Sequence, residues 1–342
     1  MSQISHLTSP VSNTKILIRL PNWLGDVVMS SAFVSAVSTF YPHAVIDAII
    51  KKDLAGVADL IPRISRLYLF SKQERPGLTG AYSFGKQLRA EKYDLFFNLP
   101  ESFSSQVMAK GTRAKKRIGF NKEGSFFSLT DSFKKPKNVH RVEEYVSLAE
   151  QFSGKKFENY QVKLDPAKPA RPVSRLVIVN FNSEASSRRM PLEKAKQIIN
   201  LLTNTFRKTR FTFIGSQKEA GFIGDIIQGA ENADRLENAA GKTDLAGLAH
   251  ILGTATAVLT TDSGPAHLAN SVGAPTIVLF GAGNECNTAP YNKNGLHVIR
   301  YGKLDCEPCV RNTCTLYGVP RCMQMIDEVQ IIAALKTYLT NG

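Results

Sequence analysis

Two short polar segments combine residue types that can move a proton or hold a phosphate. In Leu20-Pro-Asn-Trp-Leu-Gly-Asp-Val-Val-Met-Ser30, Gly25 permits a tight turn and Asp26 falls in the first turn of an expected helix. An aspartate there either offsets the helix dipole and its orphan N–H groups or, held at the carboxyl edge of a sheet, serves as a general base. In Leu259-Thr-Thr-Asp-Ser-Gly-Pro-Ala-His-Leu-Ala-Asn270, a strand ends at Thr261, Asp262-Ser263-Gly264 turns the chain, and a helix begins with Pro265 near its first position. Ser263 and Gly264 then present N–H groups at a helix N-terminus, an anion site suited to a diphosphate. His267, one turn in, either packs in the interior or touches phosphate or sugar.

Two further segments belong with these. Asn182-Ser-Glu-Ala-Ser-Ser-Arg-Arg-Met-Pro191 supplies hydroxyls and the guanidinium groups of Arg188 and Arg189, whose forked geometry can clamp phosphate. Ala240-Gly-Lys-Thr-Asp244 precedes a helix with Asp244 as its N-cap, and is equally readable as an ordinary turn. No Gly-x-x-x-x-Gly-Lys-Ser/Thr loop and no Gly-x-Gly-x-x-Gly occurs, since Cys286 stands where the third glycine after Gly281-Ala-Gly283 would fall. Nucleotide hydrolysis and dinucleotide redox chemistry lose ground accordingly. Cys306, Cys309, Cys314 and Cys322 have the spacing of a tetrahedral zinc site or of a reduced loop with packing roles.

Positioning these groups is the task of alternating strands and helices. Lys15–Leu20, Ala44–Ile50, Arg66–Phe70 and Tyr93–Leu99 read as strands of a buried parallel sheet, extended near Arg117–Phe120 and closed by a helix over Arg141–Phe152. Asp165-Pro-Ala-Lys-Pro-Ala-Arg-Pro172 resists helix and sheet alike and reads as a stiff linker. The rhythm restarts with strands at Arg175–Asn180, Arg210–Ile214, Thr256–Thr261 and Thr276–Phe280. A first domain over 1–165, a linker over 166–172 and a second domain over 173–325 follow. A last helix in 326–342 is free to pack back on the first domain. Ligands of doubly wound sheets bind at the carboxyl ends of the strands, so an interdomain cleft is the expected site.

At 342 residues, 43% apolar and 21% charged, the chain suits two folded domains. Met1–Ser12 lacks the basic start and apolar centre of a signal peptide, and no apolar run approaches the roughly 18 residues of a membrane span, which points to the cytoplasm and reduced cysteines. Residues 1–165 hold 24 Lys and Arg against 15 Asp and Glu, and residues 166–342 hold 19 against 14. Lys110, Arg113, Lys115, Lys116 and Arg117, then Lys134, Lys135, Lys137 and Arg141, supply much of the excess. Such a surface is merely solvated, or meets nucleic acid, an anionic membrane or a phosphorylated substrate; no basic-aromatic motif favours nucleic acid.

Trp23-Leu-Gly-Asp26, Ser187-Arg-Arg-Met-Pro191 and Thr261-Asp-Ser-Gly-Pro-Ala-His267 together resemble the ADP-heptose:lipopolysaccharide heptosyltransferases of glycosyltransferase family 9, from Lys15 to the final helix. The resemblance implies a GT-B fold, two Rossmann-like doubly wound α/β domains facing an interdomain cleft. It implies an inverting transfer of heptose from ADP-heptose to Kdo-lipid A or its heptosylated form, of the heptosyltransferase I or II type with II preferred, requiring no metal or other cofactor. Asp26 would be the base. Ser187, Arg188, Lys242, Thr243, Asp262, Ser263, Gly264 and His267 would bind the donor, Arg188 standing where many members have lysine. Trp23, Lys116 and Arg117 would bind the acceptor, with peripheral contact at the anionic inner face of the cytoplasmic membrane. The competing expectations are another acceptor or nucleotide sugar on the same fold, and a non-catalytic sugar-nucleotide sensor.

Overall fold

The computed structural model describes residues 14–122, 127–166 and 173–339. Most of the proline-rich stretch 166–172, and all of Met1–Ser12, lie outside them. The chain forms two compact units that divide between residues 165 and 166.

In the first unit the order is β1 (Lys15–Arg19), α1 (Leu24–Phe40), β2 (Val45–Lys51), α2 (Ala55–Ala58), β3 (Arg66–Phe70), α3 (Gly77–Gln87), β4 (Leu95–Asn98), α4 (Phe103–Thr112), β5 (Lys116–Phe120), β6 (Asp131–Phe133) and α5 (Arg141–Ser153). All the strand pairs are parallel, in the order β3-β2-β1-β4-β5-β6. Ile16, Leu17 and Ile18 of β1 are fully buried, as a central strand covered by helices on both faces requires. Helix α1 is apolar nearly all round, with Val27, Val28, Phe33, Val34 and Val37 buried.

The second unit runs β7 (Leu176–Asn180), α6 (Leu192–Thr205), β8 (Arg210–Phe213), α7 (Ala220–Gln228), β9 (Leu236–Asn238), α8 (Leu245–Thr254), β10 (Ala257–Thr261), α9 (Gly264–Ser271), β11 (Thr276–Phe280), α10 (Glu285–Thr288), β12 (Leu296–Arg300), α11 (Arg321–Gln324) and α12 (Glu328–Leu339). Its parallel sheet has the order β9-β8-β7-β10-β11-β12, the same winding as the first. In each sheet the direction of winding reverses once, between β1 and β4 and between β7 and β10. The loops leaving the carboxyl ends of those strands part there, which opens a crevice.

The last helix packs within the second unit. Ile331, Ala334, Leu335 and Leu339 of α12 are buried in the second unit's core beside Ile277, Leu279 and Ile299. Each large aliphatic side chain removed from water there contributes about 1.5–3 kcal/mol. Three strands went unread in the sequence: β6, β9 and β12. All three are short edge strands, and their burial is partial, so they carry too little apolar pattern to stand out. Among the described residues no helix is long and apolar enough to cross a membrane.

Candidate functional site

In the first unit the chain leaves β1 through Leu20–Trp23 and enters α1. Arg19 braces that turn from beneath. Its buried guanidinium donates to the carbonyls of Leu20 and Ile49 and, at 2.5 Å, to Asn22 Oδ1. Burial pulls its pKa down to about 10, and no carboxylate pairs with it among the described residues. A buried cation offset only by carbonyl and amide dipoles is costly, so the turn it holds is set firmly.

Asp26 is the third residue of α1. Trp23 is the N-cap, 62% exposed, and makes no side-chain cap bond. The Asp26 carboxylate makes no bond to the N–H groups of its own helix either. Its partners come from α5: the Tyr145 hydroxyl donates to Asp26 Oδ1 at 2.9 Å, and Arg141 Nε lies 3.6 Å from the same oxygen. Tyr145 is buried, and its pKa stands well above the ordinary tyrosine value because of that burial and the neighbouring Asp26 charge. The phenol therefore remains a donor at any physiological pH. Oδ2 of Asp26 has no partner among the described residues.

The charges around Asp26 alternate. Arg141 Nη1 donates to Glu144 Oε1 at 2.7 Å, Lys135 Nζ reaches the same oxygen at 3.2 Å, and Lys135 also pairs with Glu101. Arg141, Glu144 and Tyr145 share one face of α5 through their i, i+3, i+4 spacing. The sequence marked Lys135 and Arg141 only as part of a basic run and passed over Tyr145.

Lys116 and Arg117, expected among the acceptor-binding residues, do not join this group. They open β5 and, through Leu95 and Phe96 of β4, stand level with Ile16 and Leu17 at the start of β1. That is the amino edge of the sheet, whereas Asp26 follows its carboxyl edge. Lys116 pairs with Asp131 at 3.3 Å, and Arg117 donates to the carbonyls of Ser128 and Ala114 at 2.8 and 2.9 Å.

In the second unit every donor candidate lies on loops leaving the carboxyl edge or, for Gly264 and His267, in the first turn of α9. At the winding reversal, Asn180 at the end of β7 reaches across to the loop after β10, its Nδ2 donating to Ser263 Oγ at 2.9 Å and to Thr260 Oγ1 at 3.1 Å. Thr261 Oγ1 donates to the Asn182 carbonyl at 2.6 Å. These bonds hold Ser263 as the N-cap of α9. Its side chain caps nothing and Pro265 follows close behind, so the helix N-terminus at Gly264 keeps its orphan N–H groups. His267 lies buried one turn in.

Asp262 is 3% exposed and its Oδ2 has no hydrogen-bond partner among the described residues. Arg188 Nη1 lies 3.5 Å from that oxygen. Burial, only partly offset by Arg188 and Arg300 and reinforced by Glu285, pushes the carboxyl up to about 6. Gly283 walls the other side, where a Cβ would overlap Asp262 Oδ2. Arg300, at the end of β12, fixes that wall. It donates to the carbonyls of Gly281 and Gly283 and to both oxygens of Glu285, and lies 3.5 Å from Glu307. Nothing in the residue pattern announces this clamp, since Arg300 is a lone cation at the end of an edge strand.

Ser187 is buried, and its hydroxyl and N–H donate to the carbonyls of Arg311 and Asn312. It is spent on holding the loop after β12, and its neighbour Arg188 is placed thereby. Arg189 turns aside to the Ser183 carbonyl at 3.0 Å. Lys242 and Thr243 are exposed in the turn after β9, Lys242 lying 4.0 Å from Glu237, and Asp244 caps α8 by accepting from Gly247 N at 2.7 Å. Among the described residues no three Cys, His, Asp or Glu side chains converge well enough to hold a metal ion, so Cys306, Cys309, Cys314 and Cys322 are not arranged as a zinc tetrahedron. Burial, with Glu307 nearby, raises the Cys322 thiol to about 11.

A family model described as glycosyltransferase family 9 (heptosyltransferase) matches residues 81–319. The chain is 26% identical over 280 residues to the lipopolysaccharide core heptosyltransferase OpsX of Haemophilus influenzae, covering 79% of each chain. It is 25% identical over 336 residues to lipooligosaccharide heptosyltransferase 2 of Campylobacter jejuni, covering 95% of this chain and 99% of the other. Among solved structures it is similar to the Escherichia coli ADP-heptose heptosyltransferase II, with a TM-score of 0.80 and 21% identity over 96% of this chain and 99% of that one. It is also similar to a family 9 glycosyltransferase of Veillonella parvula, with a TM-score of 0.84 and 20% identity over 97% and 99%. The fold is thus GT-B, two parallel-sheet α/β units of like winding.

Proposed function

The chain belongs to glycosyltransferase family 9, the heptosyltransferases, and on that premise we propose that it transfers L-glycero-D-manno-heptose with inversion from ADP-heptose to Kdo-lipid A or heptosyl-Kdo-lipid A. The first unit binds the acceptor and the second the donor. The second-heptose reaction is preferred, because a relative aligned along nearly its whole length is named a heptosyltransferase 2. The enzyme works in the cytoplasm, at the inner face of the membrane that carries its acceptor.

The observation that carries the chemistry is the one-sided grip on Asp26. Tyr145 and Arg141 hold Oδ1, which leaves Oδ2 to accept a proton. As the acceptor hydroxyl oxygen forms its bond to the anomeric carbon, its proton passes to Asp26 Oδ2. The bond from that carbon to the ADP oxygen breaks with its electron pair, and negative charge grows on the departing diphosphate. The N–H groups at the start of α9 and the guanidinium of Arg188 meet that charge. Asp262, beside Arg188, accepts a hydrogen bond from a hydroxyl of the heptose. No step in this scheme calls for a metal or other cofactor.

The test is ADP release from ADP-heptose with and without each acceptor, with EDTA in a parallel series. Acceptor-dependent release that survives EDTA and is lost in Asp26→Asn is the expected result. Donor binding without release on any acceptor would overturn the transfer and favour a sensor.

A further inference from the structure

Between Val310 and Val319 the second unit turns a run of large apolar side chains to solvent: Val310 is 59% exposed, Leu316 63%, Tyr317 44% and Val319 48%. Single exposed apolar residues are ordinary, but a set this close together marks an interaction surface. From Pro308 to Ile326 the only charged residues are Arg311 and Arg321, with no acidic residue between them. The Arg321 guanidinium lies 5.4 Å from the centroid of the Tyr317 ring, so a cation and an amphipathic ring share one face of the loop.

This composition matches the interfacial zone of an anionic bilayer. An aromatic ring sits at headgroup level, aliphatic side chains reach below it, and guanidinium groups meet lipid phosphates. A second copy of the chain fits less well, because a two-fold contact would set this cationic loop against itself. The base of the loop is tied to the body of the unit. Val310 N donates to the Ala282 carbonyl at 2.7 Å and Ser187 N to the Asn312 carbonyl at 3.1 Å, whereas Leu316, Tyr317 and Val319 lie beyond those anchors.

We propose that residues 310–319 form a membrane-contact loop that seats the second unit on an anionic lipid surface. This rests on the reading that the acceptor is a membrane lipid, and adds which surface of the protein meets the lipid. The anchors through Ser187 and Ala282 tie that contact to the segments carrying Arg188 and Gly283.

Co-sedimentation with phosphatidylcholine vesicles, with and without phosphatidylglycerol, tests the loop. The wild-type protein is expected to pellet with the anionic vesicles and to be released by salt. Leu316→Ser with Val319→Ser should abolish pelleting at an unchanged Tm, and Arg321→Gln should weaken it about fivefold. Retention of the double variant on anionic vesicles would overturn the proposal. So would a concentration-dependent dimer, seen by size-exclusion chromatography, that the double variant loses. Turnover on a deacylated, water-soluble acceptor separates this from the transfer reading: the double variant should match wild type there. Absence of that turnover in both proteins would count against heptosyl transfer, with the vesicle result still deciding the loop.

Discussion

The hydroxyl of Tyr145 donates to Oδ1 of Asp26 across 119 residues of sequence, at 2.9 Å, and fixes which oxygen of the carboxylate is left free. Removing it in Tyr145→Phe keeps the ring and its packing. A hydrogen bond to a charged group is worth about 1.5–3 kcal/mol, so kcat should fall roughly ten- to hundredfold while the KM for ADP-heptose stays unchanged. An unchanged kcat in a Tyr145→Phe protein that melts like wild type would assign Tyr145 to packing alone.

Asp26→Asn removes the proton acceptor and preserves the shape. A general base contributes about 10²–10⁴-fold, and kcat should drop by that order. Calorimetric titration with ADP-heptose should give an affinity close to wild type, because the residue belongs to the first unit. A parallel loss of donor affinity would mean that Asp26 does not act at the acceptor hydroxyl.

Arg188→Ala should weaken ADP binding about ten- to hundredfold, the range for a charged hydrogen bond. Arg188→Lys should recover part of this, since charge returns without the fork. Equal affinities for Arg188→Ala and wild type would remove Arg188 from the diphosphate.

Asp262 gives a signature in stability. Its folded pKa of about 6 lies above the unfolded value of about 3.9, so the folded state binds more protons between them. The contribution of Asp262 to stability is then largest below about pH 4 and falls as pH rises to about 6, by about 3 kcal/mol in all. Asp262→Asn abolishes this loss, and its Tm should exceed that of wild type at pH 8 by more than at pH 4.5. The same variant should bind ADP-heptose poorly. A pH-independent difference in Tm would contradict the burial-driven shift.

Gly283→Ala brings a methyl group onto Asp262 Oδ2. Overpacking of this kind costs about 1–3 kcal/mol, and here it should also cost donor affinity. An alanine variant with wild-type melting and binding would show that the wall yields.

Much of this arrangement was legible in the sequence. Asp26 and Asp262 each lie in the short segment that joins an apolar strand to the next helix, and a parallel sheet delivers such residues to its carboxyl edge. Asp244 as a cap was legible for the same local reason. What escaped was whatever depends on partners distant in sequence. Tyr145 looks like one apolar position of an amphipathic helix until α5 is laid against α1. Arg300 gains meaning only once its strand pairs with β11. The place of the Lys116-Arg117 pair at the amino edge of the sheet was not legible, because a charge run says nothing about which end of its strand it occupies. Ser187 was read as a ligand residue, yet its hydroxyl serves the Arg311 carbonyl.

That last contact governs the order in which the protein is completed. Ser187 and Arg311 are 124 residues apart, and during synthesis the second sheet has all of its strands before residue 311 emerges, since β12 ends at Arg300. A nascent chain can therefore assemble both sheets with Arg188 still unbraced. The brace on Arg188 arrives only with residues 311 and 312, and the side chains of α12 that complete the core follow later still.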